Sequence, residues 1–276
     1  MIIDQDTDLF GVIGNPLRHS LSPALHNAGF SETGLNAVYL AFETGDIEGC
    51  IRGIRALGVK GASVTIPFKT TVIPYLDEMD ALAHGIGAVN TIVNDNGRLK
   101  GYNTDALGAV MALEEEVEIS GMTCLIIGAG GAARAIGFML RERGADIVVT
   151  NRSSGRGKEL ARSLECPFVS PGEIGDTTAD ILVQTTPVGM YPHVDQCPVA
   201  EHVIKEGMVV MDIIYNPFET RLMKVAKARG CVTIGGMSMF IHQGAEQFRI
   251  WSGIRPSLNT IRRAVERELS RQSEKH

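Results

Sequence analysis

The sequence predicts an α/β protein of two domains, and three observations support this prediction. The chain has 276 residues, a length that fits two domains of ordinary size. Short apolar runs alternate with stretches of helical periodicity along almost the whole chain. From residue 122 onward the alternation is regular, and such a pattern is typical of a parallel sheet with helices on both faces.

The first part of the chain predicts three buried strands, two helices and a hairpin. The strands are expected at 9–14, 37–42 and 62–66, and the helices at 22–31 and 46–57. Strands 88–93 and 98–102 form the candidate hairpin, because Asn96-Gly97 in the turn 94–97 can adopt positive φ.

Two helix N-termini are predicted from single residues. Ser22 precedes Pro23 and is expected to be the N-cap of the first helix, with the proline in its first turn. Thr104 is expected to be the N-cap of a helix over 104–118.

The second part of the chain predicts a repeating strand-helix series. Its strands are expected at 122–127, 146–150, 179–184 and 208–214, and its helices at 131–143, 156–164 and 220–229. Two C-terminal helices follow at 237–252 and 257–272, separated at Pro256. We expect a first domain of residues 1–105, to which the C-terminal residues 238–276 return, and a second domain of residues 106–237.

The composition excludes several classes of function. The formal net charge is −6 with no basic block, which argues against binding to nucleic acid or an anionic membrane. No apolar run approaches the ~18 residues of a membrane helix, and the acidic N-terminus is unlike a secretory signal. Five scattered cysteines predict reduced thiols in a cytoplasmic protein, and the histidines lack metal-site spacing.

A glycine-rich loop predicts a dinucleotide site. Gly128-Ala129-Gly130-Gly131-Ala132-Ala133 follows a predicted strand directly and opens a helix. In this context Gly128 allows the tight turn, Gly130 lets the backbone approach a pyrophosphate, and Ala133 allows close helix–strand packing. The second domain is therefore predicted to have a Rossmann-type parallel sheet.

The end of the next strand favours NADP over NAD. NAD sites usually carry an acid here, but this chain has Asn151, Arg152, Ser153, Ser154 and Arg156. The arginines could clamp a 2′-phosphate, which a carboxylate would repel. The alternative is that they are solvated loop residues.

Lys69 and Asp105 are the candidate acid–base pair. Lys69 lies just past a buried strand, where ligands of α/β layers bind, and Asp105 begins a helix after the hairpin. A lysine can exchange the hydroxyl proton while the hydride passes to a nicotinamide. The alternatives are a solvated lysine and a helix-dipole carboxylate.

Two seryl hydroxyls near the first helix are candidates for binding a substrate carboxylate. Ser20 and Ser22 stand two residues apart beside a helix N-terminus, which favours an anion. Capping alone would explain Ser22, but it would not explain Ser20.

With these segments in order, the chain resembles the shikimate dehydrogenase family over nearly its whole length. The matching motifs are GVIGNPLRHSLSPALHN (11–27), VTIPFK (64–69), GAVNT (87–91), GYNTD (101–105), GAGGAARA (128–135), NRSS (151–154), TPVGM (186–190), DIIYNP (212–217) and Gly236, Met239 and Gln243. The resemblance implies NADP-linked reduction of 3-dehydroshikimate to shikimate, in the synthesis of aromatic amino acids.

The resemblance also assigns site residues. It implies Lys69 as acid–base with Asp105 as its partner, and Ser20 and Ser22 as carboxylate ligands. The groups implied for the rest of the substrate are Thr65, Asn90, Gln243 and Tyr215. Those implied for the adenosine and phosphates are Gly128, Ala129, Gly130, Gly131, Ala132, Asn151, Arg152, Ser153 and Arg156. Those implied beside the nicotinamide are Thr186, Ile213, Gly236 and Met239.

Three positions depart from the family pattern. Ser63 stands where Asn is common, Gln184-Thr185-Thr186 where Asn-Ala-Thr is common, and Phe240 where Leu is usual. The alternatives are an enzyme that also accepts quinate or uses NAD, and a non-catalytic metabolite-binding regulator on the same fold. The expected partner is a small-molecule substrate, and the chain is expected to be a monomer or a homodimer.

Overall fold

The computed structural model describes residues 3–273, which form two compact units. The first unit comprises the described residues up to Thr104 and those from Gln243 onward, and the second comprises Asp105–His242. The two-domain α/β class predicted from the sequence is confirmed.

The elements follow one another in regular order along the chain. The strands are β1 Asp8–Gly14, β2 Ala37–Glu43, β3 Gly61–Val64, β4 Glu78–Met79, β5 Thr91–Asp95, β6 Arg98–Tyr102, β7 Thr123–Ile127, β8 Asp146–Thr150, β9 Ile181–Gln184, β10 Val209–Asp212 and β11 Val232–Gly235. The helices are α1 Ser22–Thr33, α2 Ile47–Leu57, α3 Ala81–Ile86, α4 Asp105–Glu114, α5 Gly131–Glu142, α6 Ser154–Ser163, α7 Arg221–Ala228, α8 Gly236–Ser252 and α9 Leu258–Ser273.

The first unit contains a six-stranded mixed sheet with the strand order β2-β1-β3-β5-β6-β4. Strand β1 pairs in parallel with β2 and β3, whereas β5 runs antiparallel to β3 and β6. The carboxyl ends of β1, β3 and β6 and the amino end of β5 therefore lie at one edge. We call this the carboxyl edge of the first sheet.

The second unit contains a parallel five-stranded sheet with the order β11-β10-β9-β7-β8. The three central strands β7, β9 and β10 are mainly buried apolar residues, as expected when helices cover both faces. This confirms the Rossmann-type parallel sheet predicted from the alternating pattern.

The hairpin between β5 and β6 is tighter than predicted. The two strands continue to Asp95 and from Arg98, so the turn consists only of Asn96 at φ 51° and Gly97 at φ 92°. Both residues have the positive φ that their identities predict.

Several predicted ends are wrong: β5 begins at Thr91 rather than 88, β9 at Ile181 rather than 179, and β10 ends at Asp212 rather than 214. Two further differences have a clear physical reason. The strand expected to reach Ile66 ends at Val64, and Ile66 is 73% exposed because it precedes Pro67, which cannot donate to a ladder. The helix expected to reach residue 118 ends at Glu114. The acidic residues that follow would meet the negative end of its dipole.

The predicted N-cap of the first helix is also wrong. Helix α1 already includes Ser22, and the residue in the N-cap position is Leu21, which cannot cap through its side chain. The Oγ of Ser20 instead accepts a hydrogen bond of 3.4 Å from the Ser22 N–H. Three short elements, β4, α3 and β11, were not predicted at all.

Within residues 3–273, no helix is both long enough and apolar enough to cross a lipid bilayer.

Candidate functional site

The carboxyl edge of the first sheet carries most of the side chains predicted to bind substrate. Ser20 follows β1, Thr65 and Lys69 follow β3, and Asn90 immediately precedes β5. The segments are tied together by the backbone, since the Val64 N–H donates to the Asn90 carbonyl at 2.8 Å. Strand ends of this kind are where α/β layers bind ligands.

Asn90 is the centre of a buried hydrogen-bond cluster at this edge. Its Oδ1 accepts from the Thr104 N–H at 2.8 Å and from the Thr91 hydroxyl at 2.7 Å. Its Nδ2 donates to the Thr104 Oγ1 at 3.0 Å and lies 3.4 Å from the Oε1 of Gln243. Asn90 and Gln243, which are distant in sequence, are thus brought together. Thr104 precedes α4 as predicted, but its side chain serves this cluster.

Ser22 and the unusual Ser63 are connected through Tyr39. The Tyr39 hydroxyl donates to the Ser63 Oγ at 2.5 Å, and the Ser22 side chain also hydrogen-bonds to Tyr39. Complete burial raises the pKa of Tyr39, although the two serines oppose this effect. The phenol therefore stays protonated and acts as a fixed hydrogen-bond group.

Asp105 lies at the start of α4 as expected, whereas Lys69 lies in a turn five residues beyond the end of β3 because that strand already ends at Val64. Lys69 is half-buried beyond β3, and its carbonyl accepts from the Val89 N–H at 2.7 Å. Asp105 is the half-buried first residue of α4 and directly follows Thr104. The two residues belong to different compact units, and their pairing stays a prediction.

The glycine loop of the second unit has room for a phosphate group. Gly128 has φ +120°, and a Cβ there would lie 2.4 Å from the Thr185 Oγ1. A Cβ at Gly130 or Gly131 would meet nothing within 4 Å. Open space therefore adjoins the first turn of α5, where a helix has free N–H groups, and this combination fits a pyrophosphate.

The loop after β8 has the features expected for a 2′-phosphate. Arg152 and Arg156 are exposed, and no ion pair or hydrogen bond links either side chain to another described residue. Asn151 stabilises the turn by donating from Nδ2 to the Ser153 carbonyl at 2.9 Å. The guanidinium groups are thus available to an incoming anion.

A buried glutamine shapes the loop after β9, which includes Thr186. Gln184 is fully buried, and its Nε2 donates to the Thr186 Oγ1 at 2.9 Å and to the Val188 carbonyl at 3.0 Å. The hydroxyl of Thr185 donates to the Ile127 carbonyl at 2.7 Å. Gln184 and Thr185, the two residues of this segment that depart from the family pattern, therefore have hydrogen-bond partners inside this unit.

A buried aspartate shapes the loop after β10. The Oδ2 of Asp212 accepts from the Thr220 hydroxyl at 2.7 Å, and its Oδ1 accepts from the Ile214 N–H at 3.1 Å. Burial raises the pKa of the Asp212 carboxyl to about 6, although these hydrogen bonds oppose the shift. The loop it holds contains Ile213 and Tyr215.

The remaining residues predicted beside the nicotinamide lie near this loop. A Cβ at Gly236 would lie 2.4 Å from the Ile213 carbonyl, so only glycine fits there. Tyr215 is 46% exposed, and its ring centroid lies 6.2 Å from that of Phe240. Met239 is half-buried, one residue before Phe240.

Three functional candidates were missed by the sequence analysis: Tyr39, Gln247 and Asp212. Gln247 follows Gln243 by four residues, so both lie on one face of α8. That spacing of two amides in a mainly apolar helix is the signal that could have revealed Gln247. Tyr39 resembles an ordinary strand residue. Asp212 begins the family motif DIIYNP, but the sequence analysis gave it no role of its own.

Three family models match consecutive parts of the chain. The substrate-binding domain of shikimate dehydrogenase matches residues 12–92, and a shikimate/quinate 5-dehydrogenase model matches residues 111–214. The C-terminal domain model of shikimate 5-dehydrogenase matches residues 236–266. Together they cover most of the chain.

Individual relatives agree with these matches. The chain is 42% identical to the shikimate dehydrogenase (NADP+) of Methanothermobacter thermautotrophicus, over 98% of this chain and 100% of the relative. A crystal structure of a shikimate dehydrogenase in complex with NADP+ superimposes with a TM-score of 0.92 at 42% identity, over 97% of each chain. The quinate dehydrogenase from Corynebacterium glutamicum in complex with NAD is similar at 31% identity, with a TM-score of 0.87 over 94% of this chain and 98% of that one.

Proposed function

The chain belongs to the shikimate dehydrogenase family, and from this premise we propose that it catalyses the reversible NADPH-dependent reduction of 3-dehydroshikimate to shikimate. It is an NADP-dependent oxidoreductase that acts on a CH–OH group. The reaction places it in the synthesis of aromatic amino acids. The structural observation that supports the proposal most is the buried cluster of Asn90, Thr104 and Gln243 at the carboxyl edge of the first sheet.

The second unit has residues that fit NADP. The open space at Gly130 and Gly131 would receive the pyrophosphate against the N-terminus of α5. Arg152 and Arg156 would bind the 2′-phosphate, and no acid in that loop opposes it. The chemistry that NADP supplies when bound is reversible hydride transfer.

Lys69 is proposed to transfer the proton of the reaction, and Asp105 to position Lys69 and the substrate. Lys69 would give a proton to the substrate's carbonyl oxygen during reduction and take it back from the resulting hydroxyl during oxidation. Asp105 would orient the ammonium group and accept a hydrogen bond from the substrate hydroxyl. Hydride and proton then leave or arrive at one carbonyl centre, and the chemistry needs no metal ligand.

The other proposed contacts hold the ring in place. The hydroxyls of Ser20 and Ser22 would bind the substrate carboxylate beside the start of α1. Asn90, Gln243 and Thr65 would bind ring hydroxyls, and Tyr215 would line the same site. Asn90 is suited to this role because its amide is held rigidly by Thr91 and Thr104.

The likeness to a quinate dehydrogenase supports one second candidate, a broader enzyme that also accepts quinate or uses NAD. Initial rates with shikimate and quinate, each with NADP and with NAD, separate the two. We expect the highest kcat/KM for shikimate with NADP. A higher value with NAD would refute the role given to Arg152, and a higher value with quinate would favour the second candidate.

The Lys69→Ala variant tests whether the protein is an enzyme with this acid–base group. We expect kcat to fall by ~10² or more with NADP binding little changed, because only proton transfer is lost. Lys60→Ala is the matched control, since Lys60 is an exposed lysine of the same unit. Turnover by Lys69→Ala near that of the control would exclude Lys69 as the acid–base.

A further inference from the structure

Gln247 is a buried amide that contacts four groups of the first unit. It is 2% exposed and lies one helical turn beyond Gln243 on α8. Its Nε2 donates to the Asn90 carbonyl at 3.0 Å and to the Thr91 Oγ1 at 2.9 Å. Its Oε1 lies 2.8 Å from the Ser63 Oγ and 3.2 Å from the His26 Nε2.

The direction of each of these hydrogen bonds is determined. A backbone carbonyl only accepts, so the Gln247 atom facing the Asn90 carbonyl must be the NH₂ group. Its Oε1 must then accept from Ser63 and from the protonated Nε2 of His26. Ser63 has given its only proton to Gln247, so it accepts from the Tyr39 hydroxyl at 2.5 Å.

The same reasoning determines the orientation of the Asn90 side chain. Thr91 accepts from Gln247 and donates its own proton to the Asn90 Oδ1 at 2.7 Å. The Thr104 N–H, which can only donate, also contacts this oxygen at 2.8 Å. The Asn90 Nδ2 must therefore face Thr104 and Gln243, as its distances indicate.

We propose that Gln247 is a positioning residue for substrate binding, which acts through Thr91 to hold the Asn90 amide in one of its two orientations. Without it, the Thr91 proton could turn away, and the Asn90 Oδ1 would keep the Thr104 N–H as its remaining donor, so the amide would be held less firmly where the ring hydroxyl binds. This inference rests on the proposed function insofar as Asn90 is taken to bind substrate.

Trp251 lies on the same face of α8 and is a control for a residue that only attaches the helix to the sheet. Trp251 follows Gln247 by one turn and donates from Nε1 to the Ile92 carbonyl at 2.9 Å. It fixes the same helix to the same strand, yet none of its hydrogen bonds leads to Asn90. Trp251→Phe therefore controls for loosened packing between α8 and β5.

The experiment compares Gln247→Met, Thr91→Val and Trp251→Phe in the full-length protein. Methionine keeps the length of Gln247, and valine keeps the shape of Thr91, while both remove the hydrogen bonds. We expect both variants to raise KM for shikimate about tenfold and to leave KM for NADP within about twofold of wild type. In the double variant KM for shikimate should rise no further than in the worse single variant, because both substitutions interrupt the same chain of hydrogen bonds to Asn90.

Other outcomes would overturn the proposal. An unchanged shikimate KM in either folded variant would do so, as would an equal rise in Trp251→Phe. If Gln247→Met does not fold, Thr91→Val decides the question by the same criterion.

A measurement without turnover separates this inference from the proposed function. The side-chain NH₂ resonances of Asn90 should shift and exchange faster in Thr91→Val, but not in Trp251→Phe. Unchanged Asn90 resonances in Thr91→Val would refute the positioning role. If wild type does not oxidise shikimate, the proposed function fails, and the resonances still test the orientation of Asn90.

Discussion

His26 should destabilise the protein as the pH falls, because its buried ring binds a proton at a much lower pH than in the unfolded chain. It is fully buried, stacks on Tyr39 at 4.4 Å between ring centroids and lies 5.0 Å from the ring of Trp251. Its Nε2 donates to Gln247, whereas its Nδ1 has no hydrogen-bond partner among the described residues. Burial lowers the pKa of His26 to about 3 from an ordinary value of 6.5.

The magnitude follows from these two pKa values. Between pH 6.5 and 3 the unfolded chain binds a proton at His26 and the folded chain does not, so acidification favours unfolding. Stability is therefore lost as the pH falls through 6.5. Linkage gives a loss of about 2.5 kcal/mol in the free energy of unfolding between pH 7 and pH 4.5.

The wild-type curve alone cannot test this, because Asp212 acts in the opposite direction. Its pKa is raised from 3.8 to about 6, so the folded state binds more protons between these values. Acidification from pH 7 to pH 4.5 therefore stabilises the protein at Asp212 by about 2 kcal/mol. The two contributions nearly cancel.

His26→Gln isolates the histidine contribution. A glutamine Nε2 can still donate to Gln247 but does not titrate in this range. Urea unfolding at pH 7, 5.5 and 4.5 can be followed by Trp251 fluorescence, since Trp251 is the only tryptophan of the chain and contacts His26. Relative to wild type, the variant should gain about 2.5 kcal/mol between pH 7 and pH 4.5. Parallel pH curves for the two proteins would refute the reasoning.

The remaining predictions concern the second unit. Arg152→Ala should raise KM for NADP about tenfold and leave KM for NAD within about twofold, and equal effects in kinetic assays would contradict 2′-phosphate binding. Gly130→Ala should weaken NADP binding at least about tenfold by calorimetry with little change in Tm, because its Cβ meets only open space. Gly128→Ala should instead cost roughly 2 kcal/mol or more in urea unfolding, because its φ is +120° and its Cβ would meet Thr185. Asp212→Asn should remove the stabilisation that acidification gives, and a pH dependence identical to wild type would show that Asp212 does not titrate as stated.

The parallel sheet and its glycine loop could be predicted because they rest on local signals. Apolar runs of the right length give β7 to β10, and Gly128 and Gly130 mark a turn where a Cβ is either excluded or would block a ligand. The turn at Asn96-Gly97 also rests on a local signal, because the turn requires positive φ and both residues adopt it readily. The short strands β4 and β11 lack such a signal, and tertiary pairing determines them.

The buried polar cluster could be predicted only in part. Asn90 and Gln243 were identified by family resemblance, whereas Gln247 and Tyr39 were not identified at all. In a sequence, a buried polar side chain looks the same as a solvated one, because its partners lie up to 221 residues away, as for His26 and Gln247. The prediction of Ser22 as a helix cap was wrong for the same reason: its hydrogen bond to Tyr39 is long-range, whereas a helix cap is local.

Two departures from the family pattern, Ser63 and Gln184, are buried polar side chains that have their own hydrogen-bond partners. Leaving a buried polar atom unpaired costs about 1–3 kcal/mol, so each exchanged side chain must find partners of its own. The small Ser63 accepts from Tyr39 and donates to Gln247. Gln184 reaches both Thr186 and Val188 beyond the end of β9. In both cases the exchanged residue hydrogen-bonds to groups that adjoin proposed ligand contacts. We infer that such substitutions are tolerated because they preserve the orientation of those contacts, whatever residue provides the support.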